Sequence, residues 1–330
     1  MHAVWYEKQG PAREVLVHGE MPDPSVGPGQ VLVKVTTSAV NPSDCNGRGG
    51  NLGRRLLFPR VIPHSDGAGT VVAVGEDVAS SWIGQRVWIY NSQRSRAFGT
   101  AAELIAVEEE WVAPLPDNTS FEHGACLGIP AMTAWLSLFR DRPESVGTVL
   151  VTGGAGSVGH YAIQLAKWAG FRVIATVSSE TKAAHAREAG ADLVLNYRTD
   201  DVVARAQEFT DGRGVDRIVD VDLGGNLQAS LDLLAEDGVI ATYASMGDRE
   251  PVVPVYRLML KNARIAFVLV PASPKQLRDM AKREINRWLT ESHVIHRIAQ
   301  HLPLAQVAQA HELVERGDKV GAVVLSIHGP

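Results

Sequence analysis

The sequence predicts an α/β protein in which a doubly wound parallel sheet is joined to a second, β-rich domain. Three observations predict it. At Val149-Leu-Val-Thr-Gly-Gly-Ala-Gly-Ser-Val-Gly159 an apolar, β-branched run ends in spaced glycines and passes into a stretch whose apolar residues recur at helical spacing through Ile163, Leu165, Ala166 and Ala169. The texture changes near residue 122, from short β-like runs to alternating helix and strand. At 330 residues the chain exceeds what one hydrophobic core usually holds, so two domains are expected.

The elements follow in order. Before residue 122, β-like runs lie at 15–18, 30–35, 70–74, 86–90 and 101–107, punctuated by Pro22, Pro24, Pro28, Gly29, Gly67, Gly69, Gly75 and Gly84. That spacing of turn residues suits a small β-barrel rather than a βαβ layer. Beyond it come the glycine strand and further strands at 172–176, 193–197, 217–221, 238–242 and 264–269, separated by helical stretches. Six such strands make a full Rossmann sheet. After Pro271 a helical stretch runs to about His296, another covers 304–314, and a last strand at 322–325 is expected to rejoin the first domain. The expected division is therefore 1–121 with 271–330 as one domain and 122–270 as the other.

Composition narrows the class. With 45% hydrophobic and 21% charged residues the chain reads as an ordinary globular protein, neither disordered nor coiled coil. A formal net charge of -5 gives no electrostatic footprint for nucleic acid. Cys45 and Cys126, the two cysteines, are too few for a disulfide framework and fit a reducing compartment. No signal peptide and no apolar run of membrane-spanning length is visible, so no membrane partner is expected and a cytoplasmic location is.

The chemistry begins at the glycines. Gly154, Gly156 and Gly159 have the spacing of a dinucleotide-binding turn, with Ala155, Ser157 and Val158 between them, and the strand at 172–176 completes the βαβ context. One glycine permits the turn, one admits the pyrophosphate, and one lets helix and strand pack closely, leaving the phosphates at the helix N-terminus. Past the second strand, Thr176-Val-Ser-Ser-Glu-Thr-Lys182 carries small hydroxyls and a lysine where an acid would bind a ribose 2′-hydroxyl. Ser178, Ser179 and Lys182 suit a 2′-phosphate, so the expected cofactor is NADPH; Glu180, turned inward, would argue for NADH. Ala244 and Ser245, after the fifth strand, lie at the sheet edge where open α/β sheets bind ligands. Asp220 and Asp222, flanking the fourth strand end, read equally as turn caps or cofactor contacts.

A β-rich domain, a Rossmann domain and a returning C-terminal segment resemble the medium-chain dehydrogenase/reductase family. Ala39-Val-Asn-Pro-Ser-Asp44, Pro63-His-Ser-Asp-Gly-Ala-Gly69, Leu127-Gly-Ile-Pro-Ala-Met-Thr-Ala134, the glycine turn and Asn196-Tyr-Arg198 narrow the resemblance to its zinc-independent quinone oxidoreductase branch, the ζ-crystallin-like proteins. The resemblance implies that the β-rich domain is a GroES-like catalytic domain. It places the three zinc-ligand positions of the alcohol dehydrogenases at Asn41, Ser65 and Ile129, which make no usable zinc site, so no metal is expected. It places Tyr197 against the adenosine phosphate end of the cofactor, and Asn41 and Thr133 at the nicotinamide, with a helix-interior hydroxyl as the alternative for Thr133. Where similar proteins often carry a tyrosine this chain has Asn46, with Arg48 two residues later. Asn46 or Arg48 would donate to a developing oxyanion, while Arg48 reads equally as a partner of a surface carboxylate.

The implied activity is hydride delivery from NADPH to a quinone or α,β-unsaturated carbonyl in an interdomain cleft, with the proton taken from solvent. An enoyl-thioester (CoA or acyl-carrier) reductase is the alternative within the superfamily, and a cofactor-bound crystallin-like or RNA-binding protein the alternative of another class. The basic loops 51–58 and 90–98 suit an anionic or large aromatic acceptor, or are simply solvated charge. The last Rossmann strand, 264–269, is an open edge that relatives pair with a second copy, which implies a homodimer.

Overall fold

The computed structural model describes residues 1–141 and 147–327. The chain divides into two compact units, Met1–Ile129 with Leu289–Pro330, and Pro130–Trp288. Residues 122–129 and 271–288 thus fall on the other side of the boundary from the sequence-derived division. The second shift has a packing cause. The helix Lys275–Glu291 buries Ala281, Ile285 and Trp288, and the Trp288 ring stands edge-on to Tyr161 of the nucleotide unit, 6.0 Å between centroids.

In the Pro130–Trp288 unit six parallel strands form one sheet in the order Leu193–Asn196, Arg172–Val177, Thr148–Val151, Val215–Asp220, Leu234–Thr242, Arg264–Phe267. Thr148–Val151 is buried at every position, as expected of a parallel strand covered on both faces. The winding reverses beside Thr148–Val151, and a reversal of strand order opens a crevice at the carboxyl ends of the strands.

The other unit holds a seven-stranded sheet and a two-stranded one, His2–Trp5 paired antiparallel with Val17–Glu20. The path of the larger sheet runs Ile298–Pro303, Ala322–Ser326, Gln30–Val40, Asp66–Val74, Arg86–Ile89, Val112–Pro114, with Leu104–Glu108 also pairing Gln30–Val40. Alternate residues Val31, Val33 and Val35 are fully buried, the period of a strand with one face on the core. Val323 pairs antiparallel opposite Val40, which carries the tail back into this unit as the sequence reading expects. Ile298–Pro303, parallel to Ala322–Ser326, is a strand that the sequence pattern does not announce.

A buried polar seam crosses this core. His64 Nε2 and His311 Nε2 lie 2.9 Å apart, so one ring supplies the N–H and the other the lone pair. His64 Nδ1 shares a 2.9 Å bond with Ser38 Oγ, itself 2.7 Å from Thr100 Oγ1. His311 reaches the seam from the apolar face of helix Val307–Arg316, beside Val307, Ala310 and Val314. His64 holds its place at φ 79°, a left-handed conformation that non-glycine residues rarely adopt.

Burial pushes the His64 imidazole down to about 3 and that of His311 well below its ordinary value. An unfolded chain would protonate both near pH 6.5, so folding stability falls as pH drops from that value toward 3. Asn tolerates the left-handed region, so His64→Asn keeps the backbone while removing the titrating ring. At pH 7.5 this variant is expected to be less stable by about 1–2 kcal/mol from lost buried hydrogen bonds, with the gap narrowing by pH 5. Denaturant midpoints at the two pH values check this; an unchanged gap would show that the ring does not titrate with folding.

Candidate active site

The glycine turn is built by close backbone approach. Gly153 takes φ 65°, and a Cβ on Gly159 would overlap the Gly153 carbonyl oxygen and lie 2.9 Å from the Gly154 Cα. Gly156 starts the helix Ser157–Trp168 from an extended conformation, and the His160 N–H makes a 2.8 Å bond to the Gly156 carbonyl. The N–H groups of Ser157, Val158 and Gly159 precede that bond, leaving the helix end able to receive an anion. Ala155 is buried, while Ser157 and Val158 are half-buried.

Because the strands are parallel, their carboxyl ends share the edge that carries this turn. Ser178 and Ser179 follow Val177, Tyr197 follows Asn196, and Ala244 and Ser245 follow Thr242 closely. Ser179 Oγ caps helix Glu180–Glu188 by accepting the Lys182 N–H at 3.4 Å. The Glu180 carboxylate pairs with exposed Arg187 at 2.5 Å, so the acid that would have argued for NADH is engaged on the helix surface. Tyr197 is 54% exposed, its ring available to a ligand, and Arg198 is exposed beside it. Ser245 Oγ accepts the Gly224 N–H at 2.9 Å and donates to the Asp248 carbonyl, so its hydroxyl serves the loop. Asp222 Oδ1 accepts the N–H groups of Met246 at 2.8 Å and Gly247 at 2.9 Å, which makes it a loop clasp. Asp220 is buried, accepts Thr152 Oγ1–H and Asn226 Nδ2–H at 2.8 Å each, and is raised by burial above the ordinary carboxylate range. Thr133 lies buried within helix Phe121–Phe139, where its carbonyl accepts Ser137 Oγ–H at 2.8 Å.

In the other unit Asn41 stands at the N-cap of helix Pro42–Gly49, whose first position is a proline. Asp44 reaches back to the Asn41 N–H at 2.7 Å. The Asn41 side-chain amide donates to Asp66 Oδ2 at 2.6 Å, and the Ile129 N–H donates to the same oxygen at 2.8 Å. Ser65 Oγ is 3.5 Å from Asp44 Oδ1. The three positions that the family resemblance equates with zinc ligands, Asn41, Ser65 and Ile129, offer an amide, a hydroxyl and an alkyl chain. That set does not fit a tetrahedral zinc, which takes thiolate, imidazole or carboxylate. Among the described residues no group of three His, Cys, Asp or Glu side chains could hold a metal ion. Burial raises Asp44 to about 7 and, with the charge of Asp44 adding to it, lifts Asp66 well above its ordinary value.

Arg48 requires a correction. Its side chain is 2% exposed and its guanidinium binds the Gly10 carbonyl and the Glu315 carboxylate, so it braces the fold and is not a free donor for a substrate oxyanion. Asn46 is half-buried and its carbonyl accepts Asn51 Nδ2–H at 3.4 Å, a weak bond that leaves its own amide donors open. Asp44 and Asp66, which with His64 and Cys45 could suggest a metal set in the sequence, both accept backbone N–H groups, as an aspartate beside a proline- or glycine-rich turn commonly does. The spacing of Asn41 and Asp44 is that of a capping box, which signals the first; nothing local signals the second.

Two family models match in series, the alcohol dehydrogenase GroES-like domain over residues 27–117 and the zinc-binding dehydrogenase over 157–285. Human quinone oxidoreductase is 30% identical over 289 residues, covering 87% of this chain and 86% of the human protein. The trans-enoyl reductase tndF of Aspergillus flavipes is 32% identical over 295 residues, 83% of this chain and 82% of that protein. Among solved structures, mycobacterial Rv1454c complexed with NADPH superposes with a TM-score of 0.86 at 30% identity, covering 99% of this chain and 100% of that one. With its parallel nucleotide sheet, its GroES-like unit and this end-to-end likeness, the chain belongs to the quinone oxidoreductases of the medium-chain dehydrogenase/reductase family.

Proposed function

We propose that this protein is an NADPH-dependent oxidoreductase that reduces a quinone or other α,β-unsaturated carbonyl without a metal ion. The observation that carries the reading is the pairing of a dinucleotide turn at the sheet's reversal point with a metal-ligand position rebuilt as the Asn41–Asp66–Ile129 clamp. When bound, NADPH supplies the hydride. A conjugated acceptor spreads the resulting charge over its own π-system, so no Lewis acid is demanded, and the proton comes from solvent.

The remaining tasks fall to this chain. The N–H groups of Ser157, Val158 and Gly159 receive the pyrophosphate, with Gly154, Ala155 and Gly156 keeping that approach clear. Ser178, Ser179 and Lys182 hold the 2′-phosphate, and Tyr197 packs at the adenosine end. Backbone at Ala244 and Ser245 borders the ribose, and Asn41 and Thr133 attend the nicotinamide and acceptor. Asn46, with open amide donors, replaces Arg48 as the side chain offered to the acceptor oxygen. Reduction of an enoyl thioester is the second reading, favoured by the likeness to a trans-enoyl reductase.

We also propose a cytoplasmic homodimer. No described helix is long and apolar enough to cross a membrane. The edge strand Arg264–Phe267 has one neighbour, and around it Phe267, Leu269, Met259 and Leu260 are each more than half exposed. An open strand edge flanked by apolar side chains is covered most simply by a symmetric copy of itself.

NADPH oxidation followed at the reduced-nicotinamide absorbance is expected to proceed with 1,4-benzoquinone or a simple enone and to be unchanged by a chelator. Turnover of crotonyl-CoA alone would select the second reading, and loss of turnover with chelator would overturn the metal-free one. Lys182→Glu is expected to raise the KM for NADPH about tenfold, the worth of one charge-assisted hydrogen bond, while sparing NADH. Phe267→Asp is expected to convert a dimer to monomer in light scattering; a wild-type monomer at micromolar concentration would refute the assembly.

A further inference from the structure

We propose that Asp66 is the positioning residue of the reduction site, fixing the Asn41 amide against the point where the chain leaves the β-rich unit; this rests on Asn41 attending the nicotinamide and acceptor. Asp66 opens the strand Asp66–Val74 and is wholly buried. One carboxyl oxygen joins two segments. Oδ2 accepts the Asn41 side-chain amide at 2.6 Å and the Ile129 N–H at 2.8 Å. The Asn91 backbone N–H also lies against this carboxyl.

The surroundings are shaped for this carboxyl. Helix Phe121–Phe139 is interrupted at Gly128, at φ -12° and ψ -114°, just before Ile129 and Pro130. The break turns the Ile129 N–H out of the helical ladder and toward Asp66. A Cβ at Gly128 would overlap the Asp66 carboxyl, so a side chain there is incompatible with this seat. Three segments therefore meet on one oxygen: the N-cap of helix Pro42–Gly49, the start of a core strand, and the last residue before the chain enters the nucleotide unit.

The chemical consequence concerns the amide. Because Oδ2 already accepts the Ile129 N–H, it meets Asn41 as an acceptor too, so the Asn41 nitrogen faces Asp66 and the Asn41 carbonyl and second N–H are held in one fixed direction. A side chain that aims another group loses its effect when it is shortened but keeps it when an isostere still accepts the same bonds. An acid that hands over its proton behaves in the opposite way, because the amide isostere cannot replace it.

The test compares Asp66→Ala, Asp66→Asn, Gly128→Ala and Asn41→Ala in the full-length protein, measuring kcat and KM with 1,4-benzoquinone, NADPH affinity by fluorescence, and the isotope effect with 4-deuterated NADPH. Asp66→Ala is expected to lower kcat by about tenfold or more with NADPH affinity little changed and the isotope effect enlarged, since misaligned hydride transfer becomes rate-limiting. Asp66→Asn is expected to retain most of kcat. Adding Asn41→Ala to Asp66→Ala is expected to slow turnover little further, the signature of two residues acting as one. Where Asp66→Ala does not fold, Gly128→Ala displaces the same carboxyl and is expected to give the same kcat loss. The proposal is overturned by Asp66→Ala with undiminished kcat while Asn41→Ala is slow, by Asp66→Asn as slow as Asp66→Ala, or by full additivity. An Asn41→Ala enzyme of normal kcat would instead remove the reading of the site beneath it.

Discussion

In the nucleotide unit the backbone of Gly159 lies so close to Gly153 and Gly154 that not even a methyl group fits between them. From that contact the rest of the unit follows. It brings the first turn of helix Ser157–Trp168 onto the end of strand Thr148–Val151, so unpaired N–H groups face the sheet edge. Parallel pairing then aligns the ends of the neighbouring strands with it, and side chains that stand 20 to 90 positions apart in sequence gather along one line, as parallel sheets with helical crossovers commonly arrange them.

The β-rich unit solves a different problem, the burial of polar groups. Asp66, Asp44, His64 and His311 are all buried, and each costs free energy unless a partner replaces hydration. The partners are neighbouring amide, backbone and ring groups: Asn41 and Ile129 on Asp66, the Asn41 N–H on Asp44, ring nitrogen on ring nitrogen in the histidine pair. Such a network specifies one arrangement of its segments, because any slip leaves a buried donor or acceptor without its mate.

How much of this was legible in the sequence depended on range. The glycine turn, the six nucleotide strands and the capping pair Asn41 and Asp44 are local patterns, and all can be read from adjacent residues. The strand Ile298–Pro303 escaped because Gln300 and His301 interrupt its apolar run and its pairing with Ala322–Ser326 is set by distant chain. Which of the two readings of Arg48 holds was hidden for the same reason, since its carboxylate partner Glu315 lies 267 residues away. The joining of His64 with His311, and of Asp66 with Ile129, has no local signature either. Periodicity shows which face a residue takes but not which distant group it meets.

The return of strand Ala322–Ser326 to Gln30–Val40 also sets an order of events during synthesis. Thr37 to Val40 emerge from the ribosome well before the strand they pair with, which is made only after the nucleotide unit. The nucleotide unit, whose strands lie between residues 148 and 267, has all its own strands available while the earlier unit still shows an open edge. The unit that begins first therefore closes after the other has all its strands, and the nascent chain carries an unpaired strand edge until Ala322–Ser326 has emerged, the interval in which chaperone binding or mispairing with another copy has its opportunity.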